Sequence, residues 1–380
     1  MNREYDLIIF GASGFTGKLI SSYIASHKDT PNIKWAIAGR DRDKVTKIAE
    51  KYSVDAIIAD SFDLESLDSM CKKTKLVITT VGPYSIYGEN LVYSCIRNGT
   101  HCLDLTGEPE FVTSISKKYK HLATENNSII IHCCGLESIP ADIGAYETVK
   151  LMDGQKKDLT FYLKTKGQIS GGTWASFLNS ISNPKTSIIQ SKSNSNRKTK
   201  KLFYSKRFKK WALIFPVIDK YIVMKSSRNS KEYGKQFSFN QYVLQKSLFS
   251  TVVLISSIFI VGLIARFAPI RNKLMSLIPS GTGPSKEKRE KNWFDITVIG
   301  KQGNMEAITT IKGGDPGYGE TSKFISEMAL CILINYEELN RKKGILTPIE
   351  CAGSLITNRL VDNNISINSN KVEINEESSN

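Results

Sequence analysis

The chain has only seven cysteines among 380 residues, and no two of them have the C-x-x-C spacing of a zinc knuckle. An odd number without that spacing also argues against a disulfide framework, so we expect no metal site and a reducing compartment. The sequence contains no collagen or coiled-coil pattern. Its first residues include charges but no apolar stretch, so we expect no secretory signal.

Acidic residues are scarce, with 37 Asp and Glu against 52 Lys and Arg, a net charge of +15. Residues 185–235 hold fifteen basic residues and two acids, so nearly all of the excess lies in one segment. A basic segment attracts the phosphates of nucleic acids or anionic lipid headgroups. Because no nucleic-acid recognition motif accompanies it, we expect an anionic membrane or lipid-droplet surface as the partner, and no nucleic acid.

Residues 247–265 form a run of nineteen uncharged residues between Lys246 and Arg266. As a helix the run would extend roughly 28 Å, close to the hydrocarbon thickness of a bilayer. A crossing would separate later segments from the domains they complete. We therefore expect insertion from the cytosolic face of a lipid droplet, the endoplasmic reticulum or mitochondria. A buried core helix or a homodimer interface is the alternative.

A dinucleotide-binding fingerprint follows the first apolar strand, at residues 6–10. Its three glycines have the spacing G-x-x-G-x-x-G, and a helical pattern follows. We expect Gly11 to make the turn, Gly14 to let phosphates approach the backbone, and Gly17 to let the helix pack on the strand. The predicted cofactor contacts in this turn are Gly11, Ser13, Gly14, Phe15, Thr16 and Gly17.

The end of the second strand indicates which dinucleotide binds. An NAD enzyme usually places an acid there, whereas here Arg40 comes first and can pair with a 2′-phosphate. We therefore predict NADP(H). NAD(H) stays open, because Asp41 follows directly and would favour it if its carboxylate faced the ribose.

Short β-branched runs alternate with helical patterns over the first 150 residues and predict six strands. The expected fold class is α/β, a doubly wound parallel Rossmann sheet. Ligands of such sheets lie at the carboxyl ends of the strands. After the fourth strand we expect cofactor contacts from Val81, Gly82, Pro83 and Tyr84. The catalytic candidates are Tyr84, Glu108 and Asp142; a positioning role is the alternative for Tyr84, and capping or inter-domain hydrogen bonding for the two acids.

The expected domain layout has four parts. Residues 1–152 form the cofactor domain, and 153–318 form a second α/β domain for substrate or dimer contacts, with a basic and apolar insert at 185–290. Residues 319–361 return to the first domain as helices. The tail at 362–380, rich in Asn, Ser and Glu, is expected to be disordered.

The chain resembles the saccharopine dehydrogenase-like oxidoreductases, in the branch that contains bacterial trans-acting enoyl reductases of lipid synthesis. The resemblance covers most of the chain and includes the segments Gly11 to Gly17, Ala38-Gly39-Arg40, Val81-Gly82-Pro83-Tyr84, Asp104-Leu105-Thr106-Gly107-Glu108, Cys134 to Asp142, Gly171-Gly172-Thr173 and Gly313 to Tyr318. Glu137 departs from the pattern, which has aspartate there.

This resemblance implies an oxidoreductase of lipid metabolism. Together with the basic and apolar segments, it leads us to expect a membrane-associated, NADP(H)-dependent enzyme that reduces an enoyl or carbonyl group on a lipid-linked substrate. A non-catalytic NADP-binding adaptor on a lipid surface is the first alternative. A soluble saccharopine-type amino-acid dehydrogenase is the second.

Overall fold

The computed structural model describes residues 3–168, 173–174, 177–178, 199–215, 217–278, 281–339 and 342–373. Gly171 and Gly172, which the resemblance includes, lie outside these ranges, as does most of the first part of the basic segment. The seven cysteines are all free and buried.

Strands and helices alternate strictly through the first 150 residues: β1 Tyr5–Phe10, α1 Phe15–Ser26, β2 Trp35–Gly39, α2 Arg42–Tyr52, β3 Asp55–Ile58, α3 Leu64–Lys73, β4 Thr74–Thr79, α4 Tyr84–Arg97, β5 His101–Asp104, α5 Pro109–Glu125, β6 Ile129–Ile131 and α6 Ile139–Lys150. The six strands are parallel. Apolar side chains from Leu7 to Phe10 are fully buried, because helices cover both faces of the sheet. The predicted α/β Rossmann fold class is confirmed.

The remaining elements are β7 Lys156–Lys166, β8 Leu202–Ser205, β9 Lys210–Ile214, α7 Asp219–Asn229, β10 Gln236–Gln245, α8 Leu248–Ile264, α9 Ala268–Ser276, α10 Lys286–Arg289, β11 Trp293–Gln302, β12 Met305–Gly313, α11 Gly319–Ile334, β13 Gly344–Leu346, α12 Pro348–Ala352, α13 Ser354–Asp362 and β14 Ser366–Glu373. Seven of these strands build a second, mixed sheet in the order β14-β12-β11-β7-β10-β9-β8. Helix α6 of the first domain packs on β11 and β12 of this sheet.

From residue 199 onwards, the described residues of the basic segment belong to the second sheet and its helix. Strands β8, β9 and β10 are integral to the second sheet, and α7 packs between α6 and β10. Ala212 and Tyr242 form a small core with the partly buried Phe203. Phe203 therefore contributes to the buried face of the β8–β9 hairpin, whereas Tyr204, which is 50% exposed, lies on the opposite face.

The apolar run forms helix α8, but this helix is not buried in the core. Thr251 is its one buried residue, and side chains such as Phe249 and Phe259 are 79% and 66% exposed. The core-helix alternative is therefore wrong for this chain. Among the described residues, none of the helices has both the length and the apolar character needed to cross a membrane.

The C-terminal part of the chain extends both sheets. Strand β13 pairs in parallel with β6 and adds a seventh strand to the Rossmann sheet, and helix α11 packs on α1. The prediction of a disordered tail is wrong for Ser366–Glu373, because β14 pairs with β12 along its whole length. The polar composition of β14 suits an edge strand with most side chains exposed; residues 374–380 lie outside the described ranges.

Candidate functional site

The turn between β1 and α1 has the geometry expected of a dinucleotide cradle. Gly11 has a φ of +88°, and a Cβ there would lie 2.7 Å from Thr80 Oγ1 and 2.8 Å from Val81 Cγ2. A Cβ on Gly17 would lie 2.3 Å from the Gly11 carbonyl oxygen. The turn and the close packing of helix on strand therefore both require glycine.

The N-terminus of α1 is open to an anion. Its N-cap is Gly14, which has no side chain to accept hydrogen bonds from the first-turn amides. Ser13, Phe15 and Thr16 flank it and are half-buried. Amides and a helix dipole in this arrangement suit a pyrophosphate, so the residues present fit a dinucleotide.

Arg40 and Asp41 have different roles at the end of β2. The Asp41 carboxylate caps α2 by accepting from the Lys44 amide at 3.1 Å, and it pairs with Lys44 Nζ at 2.7 Å. The hydrogen bond from the Lys44 ammonium lowers the Asp41 pKa. Arg40 is exposed at the strand end. The carboxylate that would favour NAD(H) is therefore engaged, and the guanidinium is available for a 2′-phosphate.

The segment after β4 lies directly against the glycine turn. The Thr80 hydroxyl donates to the Gly11 carbonyl at 3.1 Å, and Val81 is half-buried beside it. Gly82 and Pro83 follow, joined by a cis peptide bond, and Pro83 is the N-cap of α4. The ends of β1 and β4 therefore meet at one edge of the sheet. We call the groove at the carboxyl ends of β1, β4, β5 and β6 the cleft.

Tyr84 and Glu108 are brought together, but as structural partners. Both Glu108 carboxylate oxygens accept backbone amides at 2.9 Å, one from Tyr84 and one from Ser85. The Tyr84 hydroxyl is buried, donates to the Thr79 carbonyl and accepts from the Leu105 amide, both at 3.2 Å. Burial raises the Tyr84 pKa well above its ordinary value. In this arrangement both residues position the β4 and β5 loops, a role that differs from the expected proton transfer.

Asp142 lies away from the cofactor turn, in the first turn of α6. Its Oδ2 accepts from the Ile349 amide at 3.1 Å, so it joins α6 to the C-terminal segment. The side chain is fully buried, and burial raises its pKa to about 7. The contacts match the inter-domain hydrogen bonding that was the alternative for this residue.

A buried pair holds the loops after β5 and β6 together. His132 Nδ1 lies 2.5 Å from Asp104 Oδ2, and the other carboxylate oxygen of Asp104 accepts from the amides of Thr106 and Cys133. His132 is 2% exposed and does not face solvent. The pair therefore fixes the backbone next to the cleft.

Glu137, the residue that departs from the family pattern, is exposed in the cleft. A Cβ on Gly135 would lie 3.0 Å from Glu137 Oε2, and one on Gly107 would lie 4.0 Å from its Cγ. The side chain therefore lies between the loops that follow β5 and β6. Glu137 also raises the pKa of the buried Asp219 at the start of α7. Only the fold brings α7 to this position, so spacing along the chain gave no signal for it.

The second domain closes over the glycine turn. The rings of Tyr318 and Phe15 pack edge to face, with their centres 5.0 Å apart. A Cβ on Gly283 would lie 2.5 Å from the Phe15 ring. The guanidinium of Arg289 lies 6.0 Å from the Phe15 ring centre. The glycine- and proline-rich loop at 313–319 therefore lies at the cleft. Among the described residues, no group of three or more His, Cys, Asp or Glu could hold a metal ion.

Comparison with known proteins agrees with this geometry. Residues 7–131 match the family described as the saccharopine dehydrogenase NADP binding domain. The chain is 28% identical to the saccharopine dehydrogenase-like oxidoreductase of Rattus norvegicus, over 91% of this chain and 92% of that protein. It is 27% identical to a protein of Mycobacterium tuberculosis whose name describes it as a trans-acting enoyl reductase, over 97% and 98%.

Among solved structures, apo saccharopine dehydrogenase (L-Glu forming) from Saccharomyces cerevisiae aligns with 97% of this chain and all of its own, with a TM-score of 0.59 and 13% identity. At that identity the likeness shows the fold alone. The resemblance stated from the sequence and the NADP prediction are both confirmed.

Proposed function

We propose that this chain, an NADP-dependent oxidoreductase of the saccharopine dehydrogenase-like family, reduces an enoyl or carbonyl group of a lipid at an anionic membrane or lipid-droplet surface. The observation that carries the proposal is a direct connection between an exposed apolar helix pair, α8 and α9, and the cofactor turn. The name of the mycobacterial relative supports the enoyl group as one target.

The connection runs through four side chains. The Trp174 indole donates to the carbonyl of Leu274 in α9 at 2.7 Å. The hydroxyl of the neighbouring Thr173 lies 3.1 Å from the Tyr318 hydroxyl, and the Tyr318 ring packs on Phe15 at the start of α1. A lipid at the helix pair would therefore be close to the residues that hold the cofactor.

The helix pair exposes large apolar side chains to solvent, among them Phe249, Val252, Ile255, Phe259, Ile260, Phe267 and Leu277. Complete transfer of a fully exposed side chain of this kind out of water is worth about 1.5–3 kcal/mol, and each of these partly exposed side chains would contribute a share of it. Lys246, Arg266 and Lys273 are exposed beside them, and each basic residue near an anionic surface adds about 1 kcal/mol. This combination suits a helix pair that lies in the interface of a lipid layer.

The chain's own residues hold the cofactor and exclude water from it. The first-turn amides of α1 would bind the pyrophosphate, Arg40 the 2′-phosphate, and Val81 with Pro83 would flank the cofactor at the end of β4. NADPH, when bound, supplies the hydride. Tyr318, Gly283 and Phe15 close the second domain over the turn.

The test measures NADPH binding and NADPH consumption separately. The purified full chain is mixed with phosphatidylcholine vesicles, with or without phosphatidylserine, that carry a trans-2-hexadecenoyl thioester or hexadecanal. We expect NADPH consumption with one of these lipids, faster on the anionic vesicles. Binding of NADPH without consumption of any lipid would favour the adaptor alternative. Consumption with saccharopine in free solution would favour the amino-acid alternative.

A further inference from the structure

Phe15, the first residue of α1, is where the second domain contacts the cofactor turn. Gly283 and Tyr318 pack against its ring, and the guanidinium carbon of Arg289 lies 6.0 Å from the ring centre. The face of an aromatic ring attracts a guanidinium at this distance. Arg289 is half-buried at the end of α10. The ring and the loop before α10 therefore keep its charged group beside the turn.

Arg289 has hydrogen-bonding capacity that the described part of the chain does not use. Its Nε atom is buried and has no hydrogen-bond partner among the described residues. The neighbouring acid Glu290 instead lies 3.9 Å from the ammonium nitrogen of Lys286. A guanidinium presents five N–H donors and keeps its charge in proteins, and a buried donor without an acceptor is costly. A bound anion would supply both the acceptor and the opposite charge.

The turn next to Arg289 offers amides but no charge. Residues 11–17 contain no charged side chain. Helical hydrogen bonding in α1 begins with the Lys18 amide, which donates to the Gly14 carbonyl at 3.0 Å, so the amides before it face the open end of the helix. Such a helix end binds phosphates. A pyrophosphate there brings negative charge to a turn that supplies only amides and a helix dipole, and Arg289 can balance that charge.

Arg289 and Arg40 lie at different parts of the dinucleotide site. Arg40 follows β2, where the ribose of the adenosine half lies in this fold. Arg289 lies beside the first residue of α1, where the pyrophosphate lies. The two arginines therefore correspond to two different phosphate groups of one cofactor.

We propose that Arg289 binds the pyrophosphate of the cofactor from the second domain, and that it thereby couples cofactor binding to the contact between the two domains. NADPH and NADH both carry a pyrophosphate, so Arg289 adds affinity for each without choosing between them. The inference uses the NADP-binding family of residues 7–131 and does not depend on the lipid substrate.

The first test measures equilibrium binding to the purified full chain without substrate. Arg289→Gln should weaken NADPH and NADH about 10- to 100-fold each, because both lose a charge-assisted contact to the pyrophosphate. The probe 2′-AMP carries the 2′-phosphate without a pyrophosphate, so its affinity should stay within about twofold. Lys288→Gln removes the same charge from an exposed position on α10 and should leave all three affinities nearly unchanged.

Two further variants complete the first test. Arg40→Ala should weaken NADPH and 2′-AMP but not NADH, because it removes the partner of the 2′-phosphate alone. Arg289→Lys keeps the charge without the forked donors and should lose less affinity than Arg289→Gln. Unchanged NADPH and NADH affinity in Arg289→Gln would overturn the proposal. An equal loss of 2′-AMP affinity would also overturn it, because the variant would then disturb the whole turn.

The second test measures the coupling between the domains. NADPH should slow amide hydrogen exchange in residues 281–290 of the wild type, because the bound cofactor holds Arg289 and with it α10. At saturating NADPH this protection should be absent from Arg289→Gln, whereas exchange in α1 should slow in both proteins. Equal protection of residues 281–290 in the two proteins would overturn the coupling.

A substrate carried by coenzyme A is a second source of pyrophosphate. Free coenzyme A is therefore titrated into the wild type and Arg289→Gln, and we expect equal affinities. If Arg289→Gln weakens coenzyme A and leaves NADPH and NADH unchanged, the guanidinium binds a substrate group and the proposal is overturned. None of these measurements needs turnover. A failure to reduce any lipid would therefore count against the proposed function alone.

Discussion

The Glu108 carboxylate caps helix α4 by accepting the backbone amide of Tyr84 at 2.9 Å. Because the other oxygen accepts the Ser85 amide at the same distance, one buried side chain satisfies two amides at the end of the β4 loop. This loop carries Val81 and Pro83 towards the cofactor turn. Glu108 therefore links the stability of α4 to the shape of the cofactor site.

Replacing Glu108 with Gln should destabilise the protein by about 1–3 kcal/mol, because the new NH₂ group would face a backbone N–H that has lost its acceptor. NADPH affinity should fall as well. Chemical denaturation and fluorescence titration measure the two effects. Glu110→Gln, two residues along α5 and exposed, should change stability by less than about 0.5 kcal/mol. Equal stability of both variants would contradict the capping role.

Arg40→Ala should weaken NADPH binding about 10- to 100-fold and leave NADH binding nearly unchanged. A charge-assisted hydrogen bond to a phosphate contributes about 1.5–3 kcal/mol, and NADH has no 2′-phosphate. Calorimetric titration with both cofactors measures the difference. Lys47→Ala removes the same charge from an exposed position on α2 and serves as the control. Equal losses for NADPH in both variants would mean that Arg40 contributes only general positive potential.

The stability of the protein should depend on the protonation of Asp142. Its pKa rises from 3.8 to about 7 on folding, so the folded state binds more protons and stability falls as pH rises through this range. A shift of this size corresponds to on the order of 4 kcal/mol. Asp142→Asn should flatten the pH dependence of the unfolding free energy between about pH 4 and 7.

Asp153→Asn is the control for Asp142, because an exposed ion pair with Lys371 lowers the Asp153 pKa and its contribution has the opposite sign. Urea unfolding at several pH values gives both curves. Asp219, whose pKa is also raised to about 7, adds a slope of the same sign as Asp142. A slope unaltered by Asp142→Asn would show that the carboxyl group is equally protonated in the folded and unfolded chains.

Phe259→Ser should reduce binding to anionic vesicles about tenfold or more, because its side chain is 66% exposed and would bury most of its area in lipid. Phe62→Ser, at 65% exposure on the Rossmann domain, is the matched control and should bind as the wild type does. Co-sedimentation with vesicles measures both. If Phe259→Ser instead changes the sedimentation coefficient without lipid, the helix pair is a contact between two copies of the chain.

The sequence alone determined the cofactor half of the protein. The glycine turn, Arg40 and the alternation of strands and helices depend on steric and hydrogen-bonding demands within a few residues of each other, so the pattern along the chain contains them. The apolar run was also predicted as a helix from its length and composition. Whether other parts of the chain cover that helix is decided by tertiary packing, and in this fold its apolar side chains stay exposed.

Only the tertiary structure decided the chemical roles in the cleft. Tyr84 and Glu108 follow strands as catalytic groups do, but amides and carbonyls from neighbouring loops occupy their polar atoms. Asp219 lies 82 positions beyond Glu137 in the sequence, and α7 brings it close enough for the two charges to interact. The pairing of β14 with β12 is likewise non-local. Burial and proximity across the chain set a side chain's protonation and partners, and local sequence does not contain either quantity.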